Sequence, residues 1–263
     1  MGSFIKLSNF AKVLPYADLF KQGIIITVLL SVLTVAIGLV LALGLATMRM
    51  SDFRPFRALG LTKDGRLREQ GSIGVWLSRF NPLAFLATAY VEILRSTPVI
   101  VQIFIIYHGV FGALFDLPSF TIFGFIKFDR FFPGVVALGM NSGAYLCEII
   151  RSGLQSIDGG QSEASRSLGL SKGQTMRFII LPQAIRNILP AIANEFVVII
   201  KESAITYTIG VQDIMAAVNA VKGATFVIVE PLLVATAVYF CLCFPTSKII
   251  AYFERRMSRG SKR

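Results

Sequence analysis

The chain has one histidine, one tryptophan and three cysteines among 263 residues, and only 16% of its side chains are charged. No G-x-x-x-x-G-K-[ST] segment occurs, so it lacks the loop whose backbone amides cradle nucleotide phosphates. Metal sites recruit clustered His, Cys or carboxylates at coordination spacing, and no such cluster is present. The lone His108, next to Tyr107, reads as an interfacial residue near the outer end of an apolar segment rather than a ligand or base. Cys147, Cys241 and Cys243 all fall inside apolar segments, which is poor geometry for a disulfide framework and makes them packing residues. Acidic residues are few, 15 against 26 basic, for a net charge of +11. The basic residues border apolar segments instead of forming one surface, which argues against nucleic-acid binding.

Hydrophobic residues make up 54% of the chain, phenylalanine alone occurs 22 times, and the mean hydropathy is +0.68. A soluble domain of this length does not carry that much, and the reading is an all-α integral membrane protein. A helix needs about 20 apolar residues to cross about 30 Å of hydrocarbon. Such runs occur at Gly23 to Met48, Pro98 to Phe115, Phe131 to Ile150, Ile185 to Ile209 and Val227 to Tyr252. About five transmembrane helices are expected, in a single domain over residues 1–263 with no linker to a soluble module. Pro82 to Leu94 is also apolar but contains Glu92 and precedes Arg95, so it reads as an amphipathic lead-in.

Lys and Arg gather after spans one, three and five, while the opposite side has only Lys6, Lys12, Lys21, Lys127, Arg130 and Lys222. The positive-inside rule then places the amino terminus outside and the carboxyl terminus in the cytoplasm. The first apolar run exceeds the roughly 7 to 15 residues of a signal-peptide core, so an uncleaved anchor is expected. Gly60 to Ser78 is the one long polar interruption, a cytoplasmic loop or short amphipathic element with Trp76 at the interface. No internal repeat is visible, and an odd number of spans argues against an inverted pair of halves.

Between spans three and four, Ser156 to Pro190 is polar and helix-forming. Asp158 or Ser162 can cap a helix over Glu163 to Leu168, and Gly169 supplies the left-handed residue that ends it. Ser171 and Gln174 have capping-box spacing at the start of a second helix. Met176, Phe178, Ile179, Ile180 and Leu181 give that helix an apolar side, and Pro182 and Pro190 limit or kink its continuation. Two short helices joined at Gly169 make a compact knob, read as a docking surface on the cytoplasmic side.

At these residues the chain resembles the transmembrane permease subunits of bacterial ABC importers. Their cytoplasmic loop carries Glu-Ala-Ala, three residues, Gly, nine residues and Ile-x-Leu-Pro. The match here is Glu163, Ala164, Ser165 in place of the second Ala, Gly169 and Ile179-Ile180-Leu181-Pro182. The polar amino-acid branch is indicated by Glu92-x-x-Arg95-Ser96-Thr97-Pro98 with Gln102 and Tyr107. Asn141-Ser142-Gly143-Ala144-Tyr145, with Glu148 and Arg151-Ser152-Gly153, points the same way. So does Lys201-Glu202-Ser203-Ala204-Ile205, although Ala204 and Ile205 depart from the pattern.

The resemblance implies a type I ABC importer permease fold, multi-pass in the bacterial cytoplasmic (inner) membrane. It implies a coupling loop at 156–182 in which Glu163, Ala164, Ser165, Gly169, Leu181 and Pro182 meet a separate ATPase. The implied partners are an ABC ATPase dimer, which binds ATP and Mg, an extracytoplasmic amino-acid-binding protein, a second permease subunit, identical or related, and membrane lipid. This chain would hold no cofactor and do no catalysis itself.

Local chemistry adds candidates. Pro98 suits the first turn of a span, where its missing amide costs nothing, with Ser96 or Thr97 able to cap. Glu148 and Arg151 are three apart and able to pair. Span four carries Asn194, Glu195, Lys201 and Glu202, and ionisable residues inside a span are functional candidates by default. Seven-residue spacing puts Asn194 and Lys201 on one stripe and Glu195 and Glu202 on the next. A zwitterionic amino acid needs an acceptor for its ammonium and donors for its carboxylate, which Glu202 with Ser203, Thr206 or Lys201 would provide. Asn141, Tyr145 and Glu148 form a second stripe in span three that lines the same path. The competing reading of these stripes is an interhelical polar network.

Two functions of different class emerge. One is a permease subunit of an ATP-driven amino-acid importer. The other is a self-sufficient secondary carrier or membrane-embedded enzyme using Glu148, Lys201 and Glu202; the capped knob, which such a protein would not need, separates them.

Overall fold

The structure, a computed structural model, describes residues 6–57 and 73–259. Most of the Gly60 to Ser78 insert lies outside the described residues. Its end forms the short helix α3 (Ile73–Arg79), where Trp76 is exposed and stacks on Phe80 at 5.8 Å. The other elements are α1 (Leu7–Val13), α2 (Ala17–Met50), α4 (Pro82–Ser96) and α5 (Val99–Phe104), which continues as a π-helical run to Phe111. Then come α6 (Phe128–Gln155), α7 (Gly159–Ser167), α8 (Lys172–Thr175), α9 (Leu181–Glu202), α10 (Ile214–Thr225) and α11 (Val229–Arg259).

The all-α expectation needs one amendment. Two-residue strands β1 (Thr121–Ile122) and β2 (Ile126–Lys127) pair antiparallel, with Thr121 opposite Lys127, and Phe123 and Gly124 turn the chain at positive φ.

The stretch Ser8–Met50, which contains α2, and Val229–Met257 of α11 are each long and apolar enough to cross a bilayer. α4 and Val99–Phe111 pass that test only as a pair, bent by 111° where they meet, the geometry of a broken span or a re-entrant loop. The helix within Pro98 to Phe115 ends at Phe111 and, at 1.5 Å per residue, is about 20 Å long, too short to cross by itself. With α4 the pair reaches spanning length. α4 is not a surface lead-in: Ala87 and Val91 on it are fully buried, Val91 in a cluster with Ala42 of α2 and Leu146 of α6. α6 (28 residues) and α9 (22 residues) have spanning length, but their polar residues lower their hydropathy.

α2 and α6 pack most closely, and the sequence shows why. Thr27, Ser31, Thr34, Gly38, Ala42 and Ala46 recur at three- and four-residue spacing and are all buried, a stripe of small side chains that lets backbones approach. At Gly38 a Cβ would stand 3.1 Å from the Gly143 backbone nitrogen. Small residues thus meet on both helices. The apolar core divides into three clusters. One joins Ile26 and Leu30 to Ile103 and Leu138, a second Ala42 to Val91, Leu146 and Ile188, and a third Phe20 to Ile214, Val221 and Ala235.

Candidate functional site: the coupling segment and two polar stripes

Asp158 caps α7, accepting a 2.8 Å hydrogen bond from the Gly160 amide, and Gly169 leaves the helix at φ +87°. The Leu168, Gly169 and Leu170 amides bond back to Ala164, Arg166 and Ser165 carbonyls, which satisfies the last turn. Ser171 and Gln174 form the complete capping box that opens α8. The knob is not two short helices, however. α8 runs through a π turn at Met176–Ile180 straight into α9, so residues 172–202 are continuously helical. Pro182 follows directly on the π turn and Pro190 lies inside α9, and neither ends the helix.

Ser165, in the place of an alanine in the resembled pattern, is buried and shares a 2.9 Å hydroxyl contact with buried Thr175. That contact clamps α7 to α8. Glu163, Ala164, Gly169, Leu181 and Pro182 are exposed on the same segment. So are Leu168, at 81%, and Phe178, at 60%. Leu168 and Phe178 went unread as surface residues because apolar side chains default to the interior. Isolated exposed apolar residues are ordinary; these two stand on the segment that carries the resembled pattern.

The stripe on α6 is satisfied from within the chain. Asn141 is buried and donates to the Gln102 side chain at 2.9 Å and to the Leu94 carbonyl at 3.4 Å. Gln102 in turn donates to Leu94, the Thr97 carbonyl and the Thr97 hydroxyl. These bonds serve carbonyls freed by the break between α4 and α5, which nothing in hydrocarbon would otherwise satisfy. Pro98 is the residue before α5, and neither Ser96 nor Thr97 caps it; Thr97 bonds back to the Ile93 carbonyl instead. Tyr145 is 39% exposed under the Arg95 guanidinium, 5.5 Å from the ring centre.

Glu148 meets Arg151 at 2.7 Å as spacing suggested, and also Arg49 of α2 and Arg95 of α4, the latter at 3.9 Å. Its hydrogen bond and charge raise the Arg151 guanidinium pKa above its ordinary value. A carboxylate bound by three guanidiniums is an interhelical tie, not a free base.

On α9 the stripes diverge. Glu195 is half-buried and accepts from Ser142 of α6 at 3.1 Å. Ser203 and Thr206 are buried, and their hydroxyls donate to the Ile200 and Ser203 carbonyls, so neither donor is free for a ligand. Asn194 and Lys201 are exposed, and Glu202 is half-buried. None of these three has a hydrogen bond or ion pair among the described residues. Asn141 thus bonds toward the α4 break, and the side-chain hydrogen bond between α6 and α9 runs from Ser142, one residue outside the α6 stripe, to Glu195. Among the described residues no group of His, Cys and carboxylates could hold a metal.

The model of the binding-protein-dependent transport system inner membrane component family matches residues 70–259. The chain belongs to that family. The arginine transport system permease protein ArtQ of Bacillus subtilis is 34% identical over 249 residues, 95% of this chain and 97% of the relative. The nopaline transport system permease protein NocM of Agrobacterium fabrum is 37% identical over 181 residues, 68% of this chain and 73% of the relative. A solved amino acid ABC transporter chain, 35% identical, superposes with a TM-score of 0.77 over 97% of this chain and all of that one. A chain of the MetNI methionine ABC transporter, 17% identical, shares the fold with a TM-score of 0.63 over 92% of this chain and 98% of its own. The chain is thus a membrane-embedded permease subunit of an ABC transport system, which selects the permease over the carrier or enzyme built on Glu148, Lys201 and Glu202.

Proposed function

We propose that this permease imports polar amino acids, driven by an ABC ATPase dimer that docks on residues 159–182. The observation that carries the docking is the exposed apolar pair Leu168 and Phe178 beside a helix capped at Asp158 and terminated at Gly169. Relatives named for arginine, glutamine and nopaline transport support the cargo class. The ATPase supplies the ATP and Mg sites that this chain lacks, and an extracytoplasmic binding protein delivers the amino acid. Five spans, with the amino terminus outside, cross the cytoplasmic membrane, where the exposed apolar faces of α2 and α11 meet lipid.

A second permease subunit follows from the α9 face. Asn194 and Lys201 are exposed and unpaired within a helix of spanning length, and polar groups there must face water or another protein chain. Two such faces enclose a hydrated path that Glu202 borders. Movement of α7 passes through the Ser165–Thr175 contact into residues 172–202, so closure of the ATPase dimer turns the face that carries Asn194 and Lys201. Gly169→Pro is expected to abolish substrate-stimulated ATP turnover while membrane insertion is kept. Transport at the wild-type rate in that variant would remove the segment from coupling.

A further inference from the structure

Five buried side-chain atoms find no hydrogen-bond partner among the described residues, and three of them come together: Asp213 Oδ2, the Tyr239 hydroxyl and the Thr27 hydroxyl. They belong to three elements. Asp213 is the residue before α10, Tyr239 lies on α11 and Thr27 on α2. α2 comes this close because it carries no side chain at the contact: a Cβ at Gly23, one turn before Thr27, would stand 2.9 Å from the Asp213 backbone. Phe20, Ile214, Val221 and Ala235 of the same three helices form the apolar cluster on which Tyr239 packs. Asp213 and Thr27 are completely buried, at 0% exposure. Asp213 Oδ1 caps α10 by accepting from the Ala216 amide at 2.9 Å, which leaves Oδ2 over. Amides are the only donors that reach this carboxylate among the described residues; no lysine, arginine or histidine pairs with it. A cavity of about 120 Å³ meets Asp213 on the side of Gln22 and Gln212.

We propose that Asp213, Tyr239 and Thr27 hold a partly hydrated alkali cation, Na⁺ or K⁺, which ties α2, α10 and α11 together. A buried carboxylate needs a counter-charge. A proton on Asp213 neutralises the charge but joins none of these oxygens, and a water joins them without neutralising it; a cation among them does both. Carboxylate, hydroxyl and water oxygens are the donors that hard cations take. No cluster of acids is required, because one carboxylate balances one positive charge, whereas a divalent ion would stay undercompensated in a buried place. The cavity is smaller than the roughly 300 Å³ at which pockets for organic ligands begin, so it admits water and small ions but no amino acid.

The test uses the full chain copurified with its ATPase in nanodiscs, without nucleotide, in NaCl, KCl or choline chloride at one ionic strength. The temperature at which half of the permease chain is lost to aggregation is expected to rise by about 5 °C as Na⁺ or K⁺ replaces choline, and the rise should saturate, as binding to the native state requires. Asp213→Asn keeps the helix cap, since asparagine caps as well as aspartate does, and should abolish the rise. Tyr239→Phe keeps the ring and should raise the half-effect concentration about tenfold, the loss of one oxygen contact to a charged group. A midpoint that is the same in all three salts overturns the site. So does a midpoint that moves with pH but not with Na⁺ or K⁺, which shows Asp213 held as the acid instead. A rise that Asp213→Asn retains, or that Tyr239→Phe leaves unshifted, places the cation elsewhere in the complex and overturns it too. Should Asp213→Asn fail to assemble, Tyr239→Phe decides by itself.

Discussion

α6 and α9 both carry polar side chains at helical spacing through an apolar chain, yet they treat them in opposite ways. On α6, Asn141 and Glu148 find every partner inside the molecule: Gln102, the Leu94 carbonyl, Arg49, Arg95 and Arg151. On α9, Asn194 and Lys201 are exposed and make no hydrogen bond or ion pair among the described residues. Polar residues in a span thus divide into those that hold helices together and those left for something outside the chain. Spacing alone cannot separate the two classes, because both produce the same periodic pattern.

The contrast can be broken at its strongest point first. Glu148→Gln leaves Arg49, Arg95 and Arg151 facing one another without a counter-charge. Removing one partner of a partly buried ion pair should cost about 2 kcal/mol after allowing for solvent at these sites. In detergent, thermal unfolding monitored by a thiol-reactive dye is expected to shift down by about 5 °C; an unchanged midpoint would return Glu148 to the free polar groups. Next, Asn141→Leu strips Gln102 of its acceptor role and removes a donor from the Leu94 carbonyl. A loss of about 1 kcal/mol is expected, together with easier proteolysis near Ser96. Protection equal to wild type there would show that the α4 break does not depend on Asn141.

The α9 side predicts the reverse pattern, with function affected and stability spared. Glu202→Gln should weaken uptake several-fold while the ATPase still copurifies, and wild-type uptake kinetics would take Glu202 out of the substrate path. Lys201→Gln should move the unfolding midpoint least, within about 0.5 kcal/mol as for a surface substitution. A larger loss of stability in the isolated subunit would mean that Lys201 has an internal partner after all.

What could be read from the sequence is what is local. The Asp158 cap, the Ser171–Gln174 box, the positive φ of Gly169 and the Glu148–Arg151 pair each involve residues within four positions, where helix geometry alone sets the contact. The Arg49–Glu148, Asn141–Gln102 and Ser142–Glu195 contacts span 99, 39 and 53 positions and depend on how helices cross. The division of span two between α4 and Val99–Phe111 was hidden for a different reason. Both pieces are apolar, and hydropathy does not register a bend of 111°. The proline at 182 points in the other direction: a stop signal by composition, it follows directly on the π turn and the helix runs on through it.

The π turn at Met176–Ile180 sets a rotational phase. It takes up one more residue than an α turn, and each residue turns a helix by about 100°. The wider turn absorbs that rotation, so α9 keeps the facing it would have after an α turn one residue shorter. Deleting one residue within Met176–Ile180 would close the turn to α geometry and leave Glu195 on Ser142, whereas a deletion between 181 and 194 would swing the rest of α9 by about 100° and roll the open face of Asn194 and Lys201 into the protein. The chain should therefore tolerate the loss of one residue in these five positions and hardly any in the turns that follow.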